Sequence, residues 1–383
     1  MAAGRDEEPT TVSETVRDWL GMLHELYPPA QAASWDHVGL QVGDRDAEVA
    51  RVLVALDVTS AVVDEAAQQP ATLVLAHHPL LFRALASLTP ETASGRTALQ
   101  AARHGVAVAA AHTNLDVAQD GAGTSDPVAA CLGLQDTRPL TTELRDGGRC
   151  KLSTFIPPEA VEQVIDAMAA AGAGTIGDYE RCSFRVQGTG TFRPSAQADP
   201  YSGEIGQDAA EDEFRVEMEV PRGRVGPVVR ALHEAHPYEE AAYDLVSMIE
   251  GAEVGFGRLG RLPEPTSLQA VADRVRERLP APHLRFAGDP SRAIETVACA
   301  GGAGDSMIPA ALSCGADVLI TGDLRHHVTL DALELGLALV DAGHHATEVA
   351  AMPSWVRRLE AGARRRGLAA PVIASRIETG PWR

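Results

Sequence analysis

The chain has 383 residues, 45% of them hydrophobic, with 53 acidic against 33 basic side chains and a formal net charge of −20. Chains beyond ~250–300 residues divide into domains rather than enlarging one core, a field this negative repels nucleic acid and anionic lipid, and no apolar run reaches the ~18 residues of a membrane span. Five cysteines (Cys131, Cys150, Cys182, Cys299, Cys314) lack CxxC spacing, which argues against a zinc ribbon or disulfide framework and leaves them as reduced core residues.

The first dozen residues, MAAGRDEEPTTV, read as irregular and carry no basic start followed by an apolar stretch, so a cytosolic protein is expected. From about 14 to 140, short apolar runs alternate with helical patterns: RVLVALDV (51–58), a helix around 60–68, LVLAHH (73–78), a helix around 95–104, then VAVAAAHTNLD (106–116). Uninterrupted Val, Ala and Leu, rather than alternation with polar residues, predict strands covered on both faces and a largely parallel α/β sheet.

Residues 151 to about 250 differ. KLSTFIP reads as a strand, PEAVEQVIDAMAAAG as a helix opened by proline and closed by glycine, FRVEMEVP (214–221) as an alternating strand, and 223–235 as a helix. Such a β-α-β-β-α-β order is the ferredoxin-like arrangement. TGTFRP (189–194) reads as an exposed loop, and HPYEEAAYDL (236–245) as the edge of this domain.

From about 255 the first texture returns, with a helix near 266–278, the strand IETVACA (294–300), the loop GGAG (301–304), a helix to about 314, ADVLITGD (316–323), LALVDAGHH (337–345) and a long helix to about 366. The expected architecture is α/β: a first lobe at 1–145 and a second at 253–383 form one metal-binding core, interrupted by a ferredoxin-like α+β domain at 146–252.

Ligands of open parallel sheets gather at the carboxyl ends of strands. Coordinating side chains stand there four times: His77 and His78 after LVLA, Asp116 after VAVAAAHTNL, Asp323 after DVLITG, and His344 with Glu348 after LALVDAG. His344 and Glu348 share a helical face at i, i+4, and strand parity predicts His112 and Asp116 on one face. Three histidines and two carboxylates exceed what one catalytic ion takes from protein, so the surplus favours two ions with a shared carboxylate. Mixed nitrogen and oxygen donors suit zinc, manganese, iron or cobalt. GGAG is either a phosphate cradle or a tight turn. His326 and His327 either line the cavity or cap the next helix.

In order and spacing, SWDHVGLQVGD (34–44), LAHHPLLF (75–82), HTNLD (112–116), GADVLITGD (315–323) and DAGHHATE (341–348) resemble the signature segments of the dinuclear-metal hexameric proteins labelled GTP cyclohydrolase 1 type 2 homologues. GTGTFRP and AHPYEEAAYDL resemble the inserted, signalling-protein-like domain of the long bacterial forms. The sequence departs at His37, where asparagine is common, and at Ala241, where proline is usual.

The resemblance implies that His77, His78, Asp116, His344 and Glu348 bind two divalent ions with Glu348 bridging, His78 and Asp116 serving one ion and His77 and His344 the other. It also implies a homohexamer with the sites facing an interior cavity. Paired ions about 3.5–4 Å apart polarise an electrophile and generate hydroxide, so the expected activity is metal-assisted hydrolysis of a small, nucleotide-like substrate, with His112 or His327 as general acid/base. The alternative is a metal-binding assembly or regulatory protein without turnover.

Overall fold

The Val/Leu/Ala runs become the central strands of two mixed sheets, each covered by helices on both faces. The computed structural model describes residues 14–118, 121–142, 144–251 and 254–382, so the N-terminal dozen expected to be irregular lies outside the described residues. In the first sheet the strands lie in the order Gly39–Val42, Ala107–Ala110, Thr72–Ala76, Arg51–Ala55 and Val372–Ala374, all parallel except the first. Successive residues face opposite sides. Val52, Val54, Leu73 and Leu75 pack with Trp19, Trp355 and Leu359 from the helices Val16–Leu26 and Met352–Arg366. Leu53, Ala55 and Val74 pack the other way, with Val62, Val63 and Ala101 from the helices Ser60–Ala67 and Ala93–Arg103. Thr59 and Thr92 start these two helices by accepting hydrogen bonds from the amides of Val62 and Gly95.

The second sheet runs Arg285–Ala287, Ala338–Asp341, Val318–Gly322, Ala293–Ala303, Arg258–Ser267, Gln135–Pro139, with Ala338–Asp341, Val318–Gly322 and Ala293–Ala303 mutually parallel. Val297, Val318 and Val340 meet Leu268, Val271 and Val275 on one face, and Leu319 and Leu339 meet Ile308 and Ala311 on the other. At about 1.5–3 kcal/mol for each fully buried Val or Leu, these two-sided layers are what holds the strand ends in place.

The sheets do not follow the expected division of the chain into halves. Gln135–Pro139, from the N-terminal stretch, pairs with Arg258–Ser267 in the second sheet, while Val372–Ala374 returns to the first sheet beside Arg51–Ala55. QDTRP is polar and mostly exposed, and the last strand has three residues. Neither offers an apolar run to read.

Arg258 locks one of these crossings. Its buried guanidinium donates to Asp126 Oδ1 (2.6 Å) and Oδ2 (3.0 Å), to the carbonyl of Gly257 (2.8 Å), and to that of Ala118 (2.5 Å), two residues after Asp116. Removing one partner of such a pair leaves the other charge half-buried and uncompensated. Arg258→Met is therefore expected to lower unfolding stability by about 3 kcal/mol, read as a lower urea midpoint; an unchanged midpoint refutes the assignment.

The chain separates into two compact units, Met1–Thr142 with Glu253–Arg383, and Glu143–Ala252. The second runs strand, helix, strand, strand, helix, strand, with the four antiparallel strands in the order Phe184–Phe192, Ala209–Pro221, Leu144–Ile156, Tyr243–Gly251. The helices Val161–Ala170 and Val225–Ala235 bury Val164, Ile165, Val228 and Leu232 against Leu152, Val216 and Met218. TGTF, read as loop, ends the edge strand Phe184–Phe192. Within HPYEE, Tyr238 Oη donates to Glu213 at 2.9 Å.

Among the described residues no helix is long and apolar enough to cross a membrane. Cys131, Cys150 and Cys299 are buried and free, whereas Cys182 and Cys314 are only half-buried, short of the core placement expected for all five. Burial pushes the Cys299 thiol up to about 12 and that of Cys131 to about 11. At pH 8 in native buffer a thiol reagent should modify Cys182 and Cys314 and reach Cys131 and Cys299 only after denaturant is added; prompt native labelling of Cys299 contradicts this packing.

Candidate metal centre

The carboxyl ends of the central strands deliver the candidate donors. The strand Thr72–Ala76 stops, but its ladder does not: the amides of His77 and His78 still donate to the carbonyls of Ala55 (3.1 Å) and Leu56 (2.9 Å). Both imidazoles are thus held by backbone while their side chains leave the sheet. His344 opens the helix His344–Val349, which follows the strand Ala338–Asp341, and Glu348 lies one turn further on. The His344 backbone approaches closely only because residue 322 is glycine, where a Cβ would stand 2.3 Å from the His344 backbone nitrogen.

His77 Nε2 lies 3.6 Å from Asp116 Oδ1 and 3.6 Å from Glu348 Oε1. Glu348 Oε2 lies 3.1 Å from His78 Nε2 and 3.2 Å from His344 Nε2, and those two nitrogens are 3.3 Å apart. All five expected donors therefore meet; the nearest side-chain contacts join His77 with Asp116 and His78 with His344, whereas the split implied for two ions joins His78 with Asp116 and His77 with His344. The reason is the sheet order. Thr72–Ala76 runs between Ala107–Ala110 and Arg51–Ala55, and past its end His77 Nδ1 bonds to the Ala111 carbonyl beyond the first neighbour while His78 Nδ1 bonds to Asp57 beyond the second. Glu348 faces both pairs, one oxygen to each.

His112 joins this cluster, with a ring nitrogen within 4.8 Å of those of His77 and His78. Strand parity does not account for its relation to Asp116: the strand ends at Ala110, and Thr113–Asp116 is a single helical turn that His112 precedes. His327 is not brought to the cluster. It is exposed on the helix His326–Glu334, where its ring packs on His326 at 5.1 Å, and among the described residues no hydrogen bond, ion pair or ring contact ties it to the five donors.

The remaining imidazole nitrogens are fixed by oxygens that can only accept. His77 Nδ1 donates to the Ala111 carbonyl (3.1 Å), His78 Nδ1 to Asp57 (2.8 Å), His112 Nδ1 to Asp36 (3.0 Å) and His344 Nδ1 to Asp323 (2.8 Å). Thr379, Thr113 and Thr124 donate in turn to Asp57, Asp36 and Asp116. With one proton fixed on Nδ1, each ring needs to give up only its Nε2 proton to offer a lone pair to an ion held beside Glu348. His77 Nε2 and Glu348 Oε2 are buried without a well-formed hydrogen bond and meet their neighbours only as ion pairs at 3.1–3.6 Å, a costly state for polar atoms and one that a cation between them relieves. The donor set and its aim fit divalent metal.

The electrostatics agree. Burial raises the Glu348 carboxyl, but three neighbouring imidazoles outweigh it and hold the group well below the usual carboxylate range. Burial lowers His78 and His344, yet Asp57 and Glu348 lift the first to about 10, and Glu348 with Asp323 lift the second to about 9. In a metal-free chain protons supply the positive charge that the carboxylates demand. Asp116 is raised by burial, more than His77 offsets.

GGAG is not arranged as a phosphate cradle. Gly301 and Gly302 belong to the strand Ala293–Ala303, and the amides of Gly301, Gly302 and Gly304 are already given to Ser125 Oγ (3.1 Å), Thr347 Oγ1 (2.9 Å) and the Gly322 carbonyl (3.4 Å). The glycines serve close packing instead: an added Cβ would meet Thr124 at Gly301, Glu348 at Gly302 and Thr321 at Gly304. Sequence reasoning also passed over Asp36 and Asp57. Asp57 follows the strand Arg51–Ala55 much as Asp323 follows Val318–Gly322, so the strand-end rule that found Asp323 applied to it as well. Asp36 sits in a loop with no periodic signal.

A sequence model described as Duf34/NIF3 (NGG1p interacting factor 3) matches residues 14–381. Proteins named GTP cyclohydrolase 1 type 2 homolog are 39% identical over 360 residues in Halalkalibacterium halodurans (93% of this chain, 95% of that one) and 38% identical over 363 residues in Bacillus subtilis (94% and 96%). Among solved structures, a Bacillus cereus protein related to NIF3 superposes with a TM-score of 0.69 at 36% identity, covering 97% of this chain and 99% of its own. Staphylococcus aureus protein SA1388 does so with a TM-score of 0.79 at 28% identity, again over 97% and 99%.

Proposed function

The chain belongs to the Duf34/NIF3 (NGG1p interacting factor 3) family, and from that premise we propose that it is a dinuclear metallohydrolase acting on a small, nucleotide-like substrate. One observation carries the proposal: the Nε2 atoms of His77, His78 and His344 turn toward Glu348 at 3.1–3.6 Å while their Nδ1 atoms are tied to acceptors, leaving His77 Nε2 and Glu348 Oε2 buried without a well-formed hydrogen bond.

In this reading His77 and Asp116 would hold one ion and His78 and His344 the other, with Glu348 facing both pairs. Zinc, manganese, iron and cobalt all suit the donors. Bound there, two divalent cations would supply Lewis-acid polarisation and a water of near-neutral pKa. The protein's own part is positional. Asp57, Asp323 and the Ala111 carbonyl fix which imidazole nitrogen carries the proton, and His112, oriented by Asp36, is the group placed to hold or pass a proton at the edge of the cluster. The name GTP cyclohydrolase 1 type 2 homolog, borne by relatives, supplies the nucleotide. We also read Glu143–Ala252 as an inserted ferredoxin-like domain and, from the family resemblance, expect a cytoplasmic homohexamer.

Elemental analysis of the purified protein together with turnover of GTP, other nucleotides and phosphodiesters tests the proposal. Two ions per chain with product release supports it. Two ions with no turnover of any of these substrates favours the non-catalytic metal-binding alternative, and no bound metal removes both. Light scattering tests the hexamer.

A further inference from the structure

Trp35 and Phe82 are large aromatic side chains left 58% and 47% exposed, although burying either would be favourable. They are not mobile ornaments. Trp35 precedes Asp36, whose carboxylate accepts from His112 Nδ1 and from Thr113. Phe82 follows Leu81, whose amide donates to Gln41 (3.0 Å), while Gln41 donates to the His37 carbonyl (3.0 Å) and so ties the two loops together. The rings meet edge to face, 5.9 Å apart at 69°. Each also meets the His112 ring, Trp35 at 6.2 Å and Phe82 at 6.0 Å, and His112 in turn lies 5.2 Å from the ring of His77 and 5.7 Å from that of His78.

An unbroken series of rings thus leads from solvent to the candidate metal donors. We propose that Trp35 and Phe82 form the platform for a planar heteroaromatic ring of the substrate, stacked so that its substituents reach past His112 to the cluster. This rests on the hydrolase reading above and deepens it by assigning the part of the substrate that the donors do not touch. Aromatic faces accept any base without hydrogen-bond readout, which agrees with a site that has no evident guanine-reading residues, and a neutral platform gives affinity in a chain of net charge −20 without relying on charge attraction to the rest of an anionic ligand.

Calorimetric titration of the protein as purified with GTP, CTP, a pterin and flavin mononucleotide, against ribose 5-triphosphate as the ring-free control, tests this. At least one ring-bearing probe should bind at least tenfold more tightly than the control. Trp35→Leu and Phe82→Leu, which keep apolar surface and lose the ring, should each weaken that probe about tenfold and leave the control unchanged, whereas Trp35→Phe should stay within about threefold of the unaltered protein. Both side chains are exposed, so melting temperature should hold and certify folding. Equal binding of probes and control, or unchanged affinity in the Leu variants, overturns the inference; so does a change of assembly size in those variants, which would make the patch a contact between copies. Elemental analysis separates the two proposals: metal present with rings ignored removes only this one, and ring-dependent binding without metal removes only the hydrolase.

Discussion

If the dinuclear hydrolase reading holds, Glu348→Ala protein should retain one divalent ion per chain or none, where that reading gives the unaltered protein two, and any hydrolytic turnover should fall to background. Oxygens of this one carboxylate lie 3.1–3.6 Å from three imidazole nitrogens, two from one strand end and one from its own helix. Truncation removes a carboxylate that both donor pairs face, leaving His78 and His344 with no anionic donor and His77 with Asp116 alone. Losing an outer partner of a metal-bound imidazole costs about 10–100-fold in affinity, and losing a shared donor should exceed that. Asp57→Asn provides the graded comparison: the amide oxygen still accepts from His78 Nδ1, so metal should weaken without vanishing. Elemental analysis after equilibrium dialysis reads both variants. Two ions retained by Glu348→Ala would refute the bridging role and, with it, the pairing of His77 with Asp116 and His78 with His344.

How far this site was legible from sequence depended on whether a residue sat at the end of a regular element. His77, His78, Asp323, His344 and Glu348 follow apolar runs that name their own strands, and the rule that ligands gather at carboxyl ends located them before any coordinate did. Pairing was not legible, because it depends on which strand neighbours which: LVLA does not announce that VAVAA lies on one side and RVLVA on the other. His112 and Asp116 were brought together by a helical turn hidden within a stretch that looked like strand, since AHTNLD has no apolar period long enough to show where strand ends. The same limit concealed QDTRP and PVIAS, edge strands too polar or too short to register, which nonetheless carry the chain from one sheet to the other. Gly302 was legible as a glycine but not as the neighbour of Glu348, because the two are 46 positions apart and meet only in the folded chain.

That neighbour relation yields the second large effect. Gly302 has φ of +70°, and a Cβ there would lie 2.3 Å from Glu348 Oε1 and 3.5 Å from His344 Nε2. The oxygen cannot swing aside as a flexible terminus would, because the buried carboxylate is hemmed in by His77, His78 and His344. Nor can the backbone retreat: the Gly302 amide donates to Thr347 Oγ1 and its carbonyl accepts from Thr321 Oγ1 at 3.1 Å. Gly302→Ala should therefore expel metal as thoroughly as Glu348→Ala while altering no donor. It also places an L side chain in left-handed backbone, at a cost of about 1–2 kcal/mol, and this alone would lower the melting temperature by several degrees. Gly315→Ala separates the two causes, because Gly315 has the same φ of +70° with nothing within 4 Å of its Cβ position. The two variants should lose similar backbone stability, and only Gly302→Ala should lose metal. If Gly302→Ala keeps both ions, Glu348 is free to move in a way that this packing forbids, and the carboxylate is not clamped where a bridge requires it.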